Sequence, residues 1–359
     1  MIKDRKIPIQ NIYYLLCYAW NRLEERDMID VSGIDSTSLV DLFAKVLCGG
    51  VEHLLRRGLD RGYVDFSEDT RCLRGKLLFS PTVKRNLLNK ATVHCEFDEL
   101  SHNILHNRIL KTTMLSMIRV ESLDVQLKDR LVGLSRRFKE VDAIELSYGV
   151  FSRVQLHRNN AFYDFLLKIC ELVFDNLLAS ESPGKSKFRD FFQDDEKRMA
   201  ALFEDFVRNF YRLETIGLRV SREDILWQAE AIDEVSQVYL PKMITDISIE
   251  GHGFKVVIDT KFYKEALASH YDTEKIRSQH FFQIFAYLKN LEKKGGVNTN
   301  CTGVLLYPTM QKELCLNYTV DSHKVMIHTI NLNQDWQSID KDLKELLDLA
   351  RPSALQKKQ

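Results

Sequence analysis

Apolar residues change their spacing along the chain, and the change predicts where helices and strands alternate. From Ile7 to about Leu59 they recur every three or four positions, which is the spacing of amphipathic helices. Between about residues 62 and 97 apolar and polar residues alternate in short runs, as they do in strands. Helical spacing then returns. The predicted strands cover residues 63–66, 72–79 and 92–97, and the later helices cover residues 103–120, 127–138 and 160–178.

We therefore expect a helical N-terminal domain that carries a β-rich projection over about residues 62–97. The segment from Ser180 to Lys187 is small, polar and contains proline and glycine, which is typical of a linker. It places the domain boundary near residue 180. The predicted domains are residues 1–180 and residues 181–359.

The same segment satisfies the loose form of the phosphate-binding P-loop, because residues 179–186 have the pattern A-x-x-x-x-G-K-S. A P-loop needs a strand before its glycine-rich turn and a helix after it, whose amides bind phosphate. Here a helical pattern precedes the turn, Glu181 would lie beside the phosphates, and Pro183 lacks an amide donor. We expect no nucleotide to bind there.

The strongest chemical pattern lies in the C-terminal half. Two apolar-rich strand candidates, residues 243–250 and 254–262, are separated by a Gly-His-Gly turn that is short enough for a hairpin. Such a hairpin places Asp246 and Asp259 on adjacent strands, and Lys261 projects from the same strand face as Asp259. Two carboxylates with an ammonium group are what a phosphodiester hydrolase needs to hold Mg²⁺ and activate water.

The residues around this pattern distinguish a catalytic site from a solvated surface. A lone Asp-x-Lys on an exposed edge strand is the commoner arrangement, but this strand begins Val256-Val-Ile258, a run typical of a sheet interior. A helix candidate downstream aligns Gln279, Gln283 and Tyr287 at i, i+4 and i+8. Such a polar stripe on an aromatic helix favours a helix that faces a polar site, although a solvated face has the same pattern.

Composition limits how the chain can bind DNA and indicates the compartment in which it acts. Lys plus Arg and Asp plus Glu both total 51, so any DNA contact must be local or must come through a partner. The 7 cysteines are scattered and never spaced as CxxC, which predicts reduced thiols without a zinc site or disulfides. No apolar stretch approaches the roughly 20 residues that span a bilayer. We expect a cytoplasmic protein without membrane contact.

The order TD, then VIDTK, then QxxxY within residues 245–287 resembles the PD-(D/E)XK nuclease superfamily in its RecB-like form. Further segments lie at residues 8–20, 73–77, 95–98, 107–111 and 305–308. Together they resemble the McrC family, the nuclease subunits of McrBC methylcytosine-dependent restriction systems. The resemblance extends from Ile7 to about Leu347.

The resemblance implies an N-terminal domain that inserts into a hexameric McrB-like AAA+ ring, which itself binds the GTP, and a C-terminal endonuclease domain with Mg²⁺ as cofactor. The expected fold class is therefore α+β to α/β, with a restriction-endonuclease-like core of αβββαβ order. The expected function is to dock on the ring, stimulate its GTP hydrolysis and cleave methylcytosine-containing double-stranded DNA. The expected core elements are a helix at 200–211, strands at 225–232, 243–250 and 254–262, a helix at 278–289, and strands at 301–307 and 325–331.

The superfamily often places a further acidic residue on the first core helix, where Glu204 lies. An exposed helical glutamate is the alternative interpretation, and Glu230 is a weaker candidate for the same role. Thr245 occupies the position where the superfamily usually has proline. This difference does not change the residues that would bind the metal. The resemblance thus implies Asp246, Asp259 and Glu204 as metal ligands. The implied catalytic set is Asp246, Asp259, Lys261, Gln283 and Tyr287.

Basic residues are concentrated in the predicted projection. We expect Arg71, Arg74 and Lys76 to bind the partner ring; a DNA contact and a solvated surface remain the alternatives. Two other functions also stay open, a non-catalytic adaptor of an AAA+ ring and a free-standing RecB-like repair nuclease. The intact acidic and lysine pattern argues against the adaptor, and the large N-terminal domain argues against the free-standing nuclease.

Overall fold

The structure is a computed structural model that describes residues 7–23, 38–157, 160–179, 185–190, 195–229, 239–262, 268–270, 273–275, 277–309 and 313–352. The chain divides into two compact units. We call residues 28–31 and 38–189 the helical unit, and residues 1–27, 32–37 and 190–359 the sheet unit.

The helices and strands follow in chain order. The helices are α1 (Ile9–Ala19), α2 (Leu39–Arg57), α3 (Phe79–Lys84), α4 (Leu105–Ile118), α5 (Val125–Arg136), α6 (Tyr148–Ser152), α7 (Ala161–Asn176), α8 (Glu196–Glu214), α9 (Ser278–Glu292) and α10 (Trp336–Ala350). The strands are β1 (Gly62–Thr70), β2 (Lys76–Leu77), β3 (Val93–Ser101), β4 (Leu177–Ala179), β5 (Ser186–Phe188), β6 (Arg219–Ser221), β7 (Asp224–Ile225), β8 (Met243–Ile244), β9 (Ile247–Gly251), β10 (Phe254–Thr260), β11 (Ala268–His270), β12 (Thr273–Lys275), β13 (Thr302–Thr309), β14 (Cys315–Val320) and β15 (His323–Asn331).

The helical unit is built from amphipathic helices around one core. Helices α2 and α4 each pack against α5 and α7. Helix α2 buries the stripe that its spacing predicts, including Leu42, Phe43 and Val46. Gly50 allows the close approach of α7, because a Cβ at this position would meet Leu166 Cδ2 at 2.4 Å. Gly50 therefore serves helix packing, and α2 continues through Gly49 and Gly50.

The β-rich projection is present, with residues 62–101 as its bounds. Strands β1 and β3 pair antiparallel from Gly62 opposite Ser101 to Thr70 opposite Val93, and β2 lies on the other side of β3. The predicted strand at 72–79 is reduced to the two residues of β2, since the chain turns at Gly75 (φ +56°) and enters helix α3 soon afterwards.

Asp60 fixes the base of the projection. Its amide donates to the Tyr163 hydroxyl (3.0 Å), and its carbonyl accepts from Asn107 Nδ2 (3.0 Å). Its Oδ2 accepts from Asn160 Nδ2 (2.6 Å) and lies 3.0 Å from His106 Nε2. Because these partners lie on α4 and at the start of α7, strand β1 leaves the helices in a fixed direction.

Helix α1 belongs to the sheet unit, which differs from the predicted division into residues 1–180 and 181–359. Asn209 Nδ2 on α8 donates to the carbonyls of Tyr18 (3.1 Å) and Ala19 (2.9 Å). The Tyr18 ring stacks on Trp336 with centroids 5.4 Å apart. The apolar pattern of α1 shows that this helix is buried, but it does not show against which elements.

The sheet unit contains a six-stranded mixed sheet in the order β14-β15-β13-β10-β9-β6. Strands β6, β9 and β10 are antiparallel, β10, β13 and β15 are parallel, and β14 is antiparallel at the edge. Along the chain, α8, β6, β9, β10, α9 and β13 follow as helix, three strands, helix and strand. This is the order that the sequence predicts, with the β7–β8 hairpin inserted between β6 and β9.

Each face of the sheet has its own core. Alternate residues such as Val256 and Ile258 contact the core that includes α1, α8 and α10. Val257 faces the other way, toward the core that includes α9. Gly303 on β13 lets α9 lie close to the sheet, since a Cβ there would meet Ile284 Cγ1 at 2.8 Å.

Two predicted strands of this unit differ from the structure. The strand at 243–250 is broken at Thr245 and Asp246, because the Thr245 amide donates to the Glu223 carbonyl (3.0 Å) and Thr245 Oγ1 accepts from the Glu223 amide (3.0 Å). The strand predicted at 225–232 is limited to β7, and residues 230–238 lie outside the described residues. The third strand of the sheet is instead β6, which no prediction included.

The segment with the P-loop pattern has a different context from a phosphate-binding loop. Ser186 begins β5, which pairs antiparallel with β4, so a strand follows where a P-loop needs a helix. Lys185 Nζ lies 3.6 Å from Glu121 Oε1. Residues 180–184 lie outside the described residues.

All seven cysteines carry free thiols. Among the described helices, none combines the length and the apolar character that crossing a membrane requires.

The α1–α8 interface predicts a large mutational effect at Phe206. This side chain is fully buried and its ring contacts Tyr18, Phe210 and Trp336. Phe206→Ala should lower the free energy of unfolding of the sheet unit by about 3–5 kcal/mol, because it leaves a cavity. Urea unfolding followed by tryptophan fluorescence measures this unit alone, since its 3 tryptophans all lie there.

Leu213→Ala on the exposed face of the same helix is the matched control, with an expected loss under about 1 kcal/mol. Equal losses in the two variants would contradict the described packing of α1 on α8.

Candidate active site

Asp259 and Lys261 lie together at the end of β10. Every residue of this strand is buried, and Asp259 is 0% exposed. Lys261 follows the strand, and its amide still donates to the Leu306 carbonyl of β13 (2.9 Å), which keeps its side chain on the face of Asp259. Lys261 Nζ lies 2.7 Å from Asp259 Oδ2. The predicted pairing of these two side chains is present.

Asp246 lies at the bend just before β9. Its Oδ2 accepts hydrogen bonds from the amide (2.7 Å) and the hydroxyl (2.9 Å) of Thr260. The residue between Asp259 and Lys261 therefore holds the Asp246 carboxylate at the end of the adjoining strand. The structure brings all three predicted residues to one place.

Burial governs the charge state of these groups. Burial and, to a smaller extent, Asp246 raise the pKa of Asp259 to about 7 against the opposing effect of the Lys261 ammonium. Burial also opposes the charge of Lys261, but Asp259 and Asp246 outweigh this effect and raise its pKa. The site thus holds more negative charge than the single ammonium offsets when both aspartates are ionised.

The carboxylates fit a hard divalent cation. Asp259 Oδ1 is buried and meets no hydrogen-bond donor of the described chain, which is costly for a carboxylate without a further cation. Mg²⁺ in proteins is commonly held by one or two carboxylates together with waters. Asp246 and Asp259 supply such a pair. Across the described ranges, no three acidic, histidine or cysteine side chains gather closely enough to hold one metal.

Gln283 and Tyr287 lie on the side of α9 that faces this site. Gln283 Nε2 donates to the Tyr287 hydroxyl (2.7 Å), which donates to the Ile244 carbonyl (3.0 Å). Tyr287 therefore holds the chain two residues before Asp246. Burial raises the pKa of Tyr287, with smaller effects of Gln283, which lowers it, and of Asp259 and Asp246. Gln279 is exposed, so the predicted stripe includes only its last two members.

His280 is a buried neighbour of the site that the sequence analysis missed. Its Nδ1 lies 2.9 Å from the Tyr307 hydroxyl. Burial, with smaller contributions from the charges of Lys261 and Arg277, lowers the pKa of His280 to about 4. Its position four residues before the buried Ile284 is the signal that could have identified it.

Glu204 lies near the aspartates but is held by arginines. Its Oε1 accepts from Arg208 Nη1 (2.7 Å) and from Arg222 Nε (2.8 Å), and Arg222 Nη2 contacts the same oxygen. Burial raises the pKa of Glu204, Asp246 raises it further, and both arginines lower it. In this arrangement Glu204 does not join Asp246 and Asp259 as a third ligand. Glu230 lies outside the described residues.

A second buried ion pair, also missed, supports the other end of β10. Lys255 Nζ lies 2.6 Å from Glu223 Oε2 and donates to Asn298 Oδ1 (2.9 Å). Glu223 also accepts from Lys294 (3.0 Å) and Ser248 (3.0 Å). Burial tends to raise the pKa of Glu223, but the lysines and Ser248 lower it below its usual range. A lysine at the start of an interior strand was the available signal.

Together these features define a mixed α/β protein whose strand ends carry an acidic, lysine-containing site suited to a hard divalent cation. A sequence model of the family described as McrBC 5-methylcytosine restriction system component matches residues 5–308. The chain belongs to this family.

Two similar proteins extend this comparison. A curated relative from Escherichia coli (strain K12), described as the type IV methyl-directed restriction enzyme EcoKMcrBC, is 31% identical over 342 residues, which cover 95% of this chain and 97% of the relative. A solved structure described as a half-complex from the tetradecameric assembly of Thermococcus gammatolerans McrB AAA+ hexamers with bound McrC matches with a TM-score of 0.60. Its sequence identity is 18%, and the match covers 95% of this chain and 76% of that chain, so it supports the fold.

The low pKa of His280 predicts how stability depends on pH. The unfolded chain takes up a proton below the ordinary histidine value of 6.5, whereas the folded chain resists it until about 4. Stability is therefore lost as the pH falls through this window. Between pH 7 and pH 5 this histidine should cost about 2 kcal/mol, and His280→Gln should remove that part of the loss.

Urea unfolding by tryptophan fluorescence at pH 7 and pH 5 measures the difference between the chain and the variant. If both lose the same stability on acidification, His280 is not buried as a neutral group.

Proposed function

We propose that this chain is the nuclease subunit of its restriction system: a Mg²⁺-dependent DNA endonuclease with a PD-(D/E)XK core. The observation that carries this proposal is the meeting of Asp246, Asp259 and Lys261 at the ends of β9 and β10. The order αβββαβ of the surrounding elements supports it, as does the restriction enzyme among its relatives.

Each residue has a defined task in this proposal. Asp246 and Asp259 would hold Mg²⁺. The ion would polarise the scissile phosphate and lower the pKa of a bound water. Lys261 orients the attacking water and offsets negative charge that develops on the phosphate. Thr260 fixes Asp246 through two hydrogen bonds, and Tyr287 positions the chain before it. A buried strand end keeps these groups rigid, so little reorganisation is needed during the reaction.

We further propose that the projection docks on a McrB-like AAA+ ring, which binds the GTP. The related archaeal complex contains AAA+ hexamers with bound McrC. The projection exposes large apolar side chains, which is typical of surfaces that bind another protein. Cations lie among them, with Arg74 placed over the Phe97 ring at 5.6 Å. The exposed apolar residues are Tyr63, Phe66, Leu73, Phe79, Val83, Leu88 and Leu100.

In this proposal the docked chain stimulates GTP hydrolysis by the ring and cleaves methylcytosine-containing double-stranded DNA. The balanced net charge of the chain agrees with a nuclease that is brought to DNA by a partner.

Removing the charge of Asp259 or of Lys261 should abolish DNA cleavage and leave docking on the ring intact. Asp259→Asn and Lys261→Met should each lower the rate of DNA cleavage on the order of a hundredfold or more, since both act on the chemical step. Cleavage of methylated DNA by the purified chain with its ring partner and GTP measures this loss. Glu345→Gln, an exposed carboxylate on α10, is the control and should cleave normally. Near-normal cleavage by Asp259→Asn would refute the assignment of the site.

Reversing the cations of the projection should separate docking from chemistry. Arg71, Arg74 and Lys76 are exposed, and Lys76 is only weakly paired, with Nζ 3.9 Å from Glu96 Oε2. Changing all three to glutamate should weaken assembly with the ring and lower GTPase stimulation, because charged rims control encounter and register. Light scattering and GTP turnover measure the two effects.

Reversal of Arg136, Arg137 and Lys139, three exposed cations of the helical unit outside the projection, is the matched control. If the projection variant assembles and stimulates normally but fails to bind DNA, the projection is a DNA contact.

A further inference from the structure

The two arginines that hold Glu204 use the same carboxylate oxygen. Arg208 reaches Oε1 from one turn later on α8, with Nη1 2.7 Å away. Arg222 reaches it from the chain just after β6, through both Nε and Nη2. Arg208 also contacts Asp205, so its guanidinium group is shared between two acids of its own helix.

These arginines differ in how easily they can change partners. The side chain of Arg208 is 13% exposed, whereas that of Arg222 is 55% exposed. Arg222 also lines a cavity of about 220 Å³ at the β6 edge of the sheet, together with Arg219 and Ser221 and with the acidic residues Glu223, Asp224 and Glu250. Although the Glu204 side chain is only 15% exposed, solvent reaches the Arg222 guanidinium, so another anion can take the place of the Glu204 carboxylate on it.

Glu204 is close to the metal-binding aspartates but is not assembled with them. Phe203, the residue before Glu204, contacts the Phe262 ring next to Lys261, with centroids 6.3 Å apart. Asp246 acts on the charge of Glu204, and Glu204 acts on that of Asp259, as expected of neighbouring carboxylates. Nevertheless, no three acidic side chains of the described residues gather closely enough to hold one ion. Asp259 Oδ1 also has no hydrogen-bond donor among the described residues, so the pair of aspartates leaves one buried carboxylate oxygen without a partner.

We propose that Arg222 is a positioning residue that holds Glu204 away from the cation site of Asp246 and Asp259 until a phosphate group of DNA takes over its guanidinium. The inference rests on the proposed nuclease function. A guanidinium fork binds carboxylate and phosphate with the same bidentate geometry, so the two anions compete for it. Once Arg222 is withdrawn, Arg208 remains on Oε1, and Glu204 offers its Oε2 to the cation as a third carboxylate. DNA binding thereby completes the metal site.

Mn²⁺ binding to the full chain without DNA tests this exchange. Electron paramagnetic resonance counts free Mn²⁺ in titrations of the wild-type chain and of Arg222→Gln. Arg222→Gln should bind Mn²⁺ about tenfold more tightly, because Glu204 is no longer withdrawn. The gain should vanish in the double variant Arg222→Gln with Glu204→Gln. Circular dichroism confirms that each variant is folded.

Arg219→Gln is the matched control, since it removes the same charge from the same sheet edge without touching Glu204. An equal gain in Arg219→Gln, or a gain that persists with Glu204→Gln, would show that long-range charge explains the effect and would overturn the exchange. Unchanged affinity in Arg222→Gln would also overturn it, provided that Asp259→Asn abolishes Mn²⁺ binding. If Asp259→Asn binds Mn²⁺ as the wild type does, the proposed nuclease site itself fails.

Discussion

The buried carboxylate of Asp259 is the constraint on which the rest of the site depends. It lies at the end of a strand whose residues are all buried, where an uncompensated charge is costly. The ammonium group of Lys261 offsets part of this cost, and Asp246 on the adjoining strand adds to it. Burial therefore opposes the ionisation of both aspartates together and raises the pKa of Asp259 to about 7. A divalent cation would stabilise the ionised pair, which joins the stability of the sheet to the proposed chemistry.

The same constraint explains why the chain bends before β9. Thr245 still hydrogen-bonds to Glu223 beside β7, whereas β9 pairs with β10 and β6, so the chain changes partners at Asp246, which faces Thr260. The Tyr287 hydroxyl then donates to the Ile244 carbonyl, which anchors this part of the chain to α9. The break between β8 and β9 thus orients the Asp246 carboxylate toward Thr260. Irregularities near the ends of strands often orient side chains in this way.

The sequence predicts the local elements and the central site better than the assembly of the elements. The spacing around Asp259 and Lys261 is enough to predict their pairing, because two residues on one strand face have a fixed geometry. Periodicity does not show which side chains bind Asp246 and Glu204, although these partners lie within 18 residues of them along the chain. For the same reason the sequence shows that α1 is buried but does not show that it packs on α8, which lies beyond the whole helical unit. Strand β6 was missed because three residues are too few to show a period.

The arrangement of the two units along the chain has a simple consequence for function. The helical unit, with the projection, is an insertion between α1 and α8 of the sheet unit. The proposed docking surface and the proposed nuclease site therefore lie in different units. Substitutions in the two units are expected to separate partner binding from cleavage.

The most direct test of the central claim is an anomalous-difference map from crystals of this chain grown with Mn²⁺. The account predicts a peak within coordination distance of the carboxylates of both Asp246 and Asp259, with Asp259 Oδ1 among its ligands. A peak at other residues, with none between these two aspartates at a saturating Mn²⁺ concentration, would contradict it.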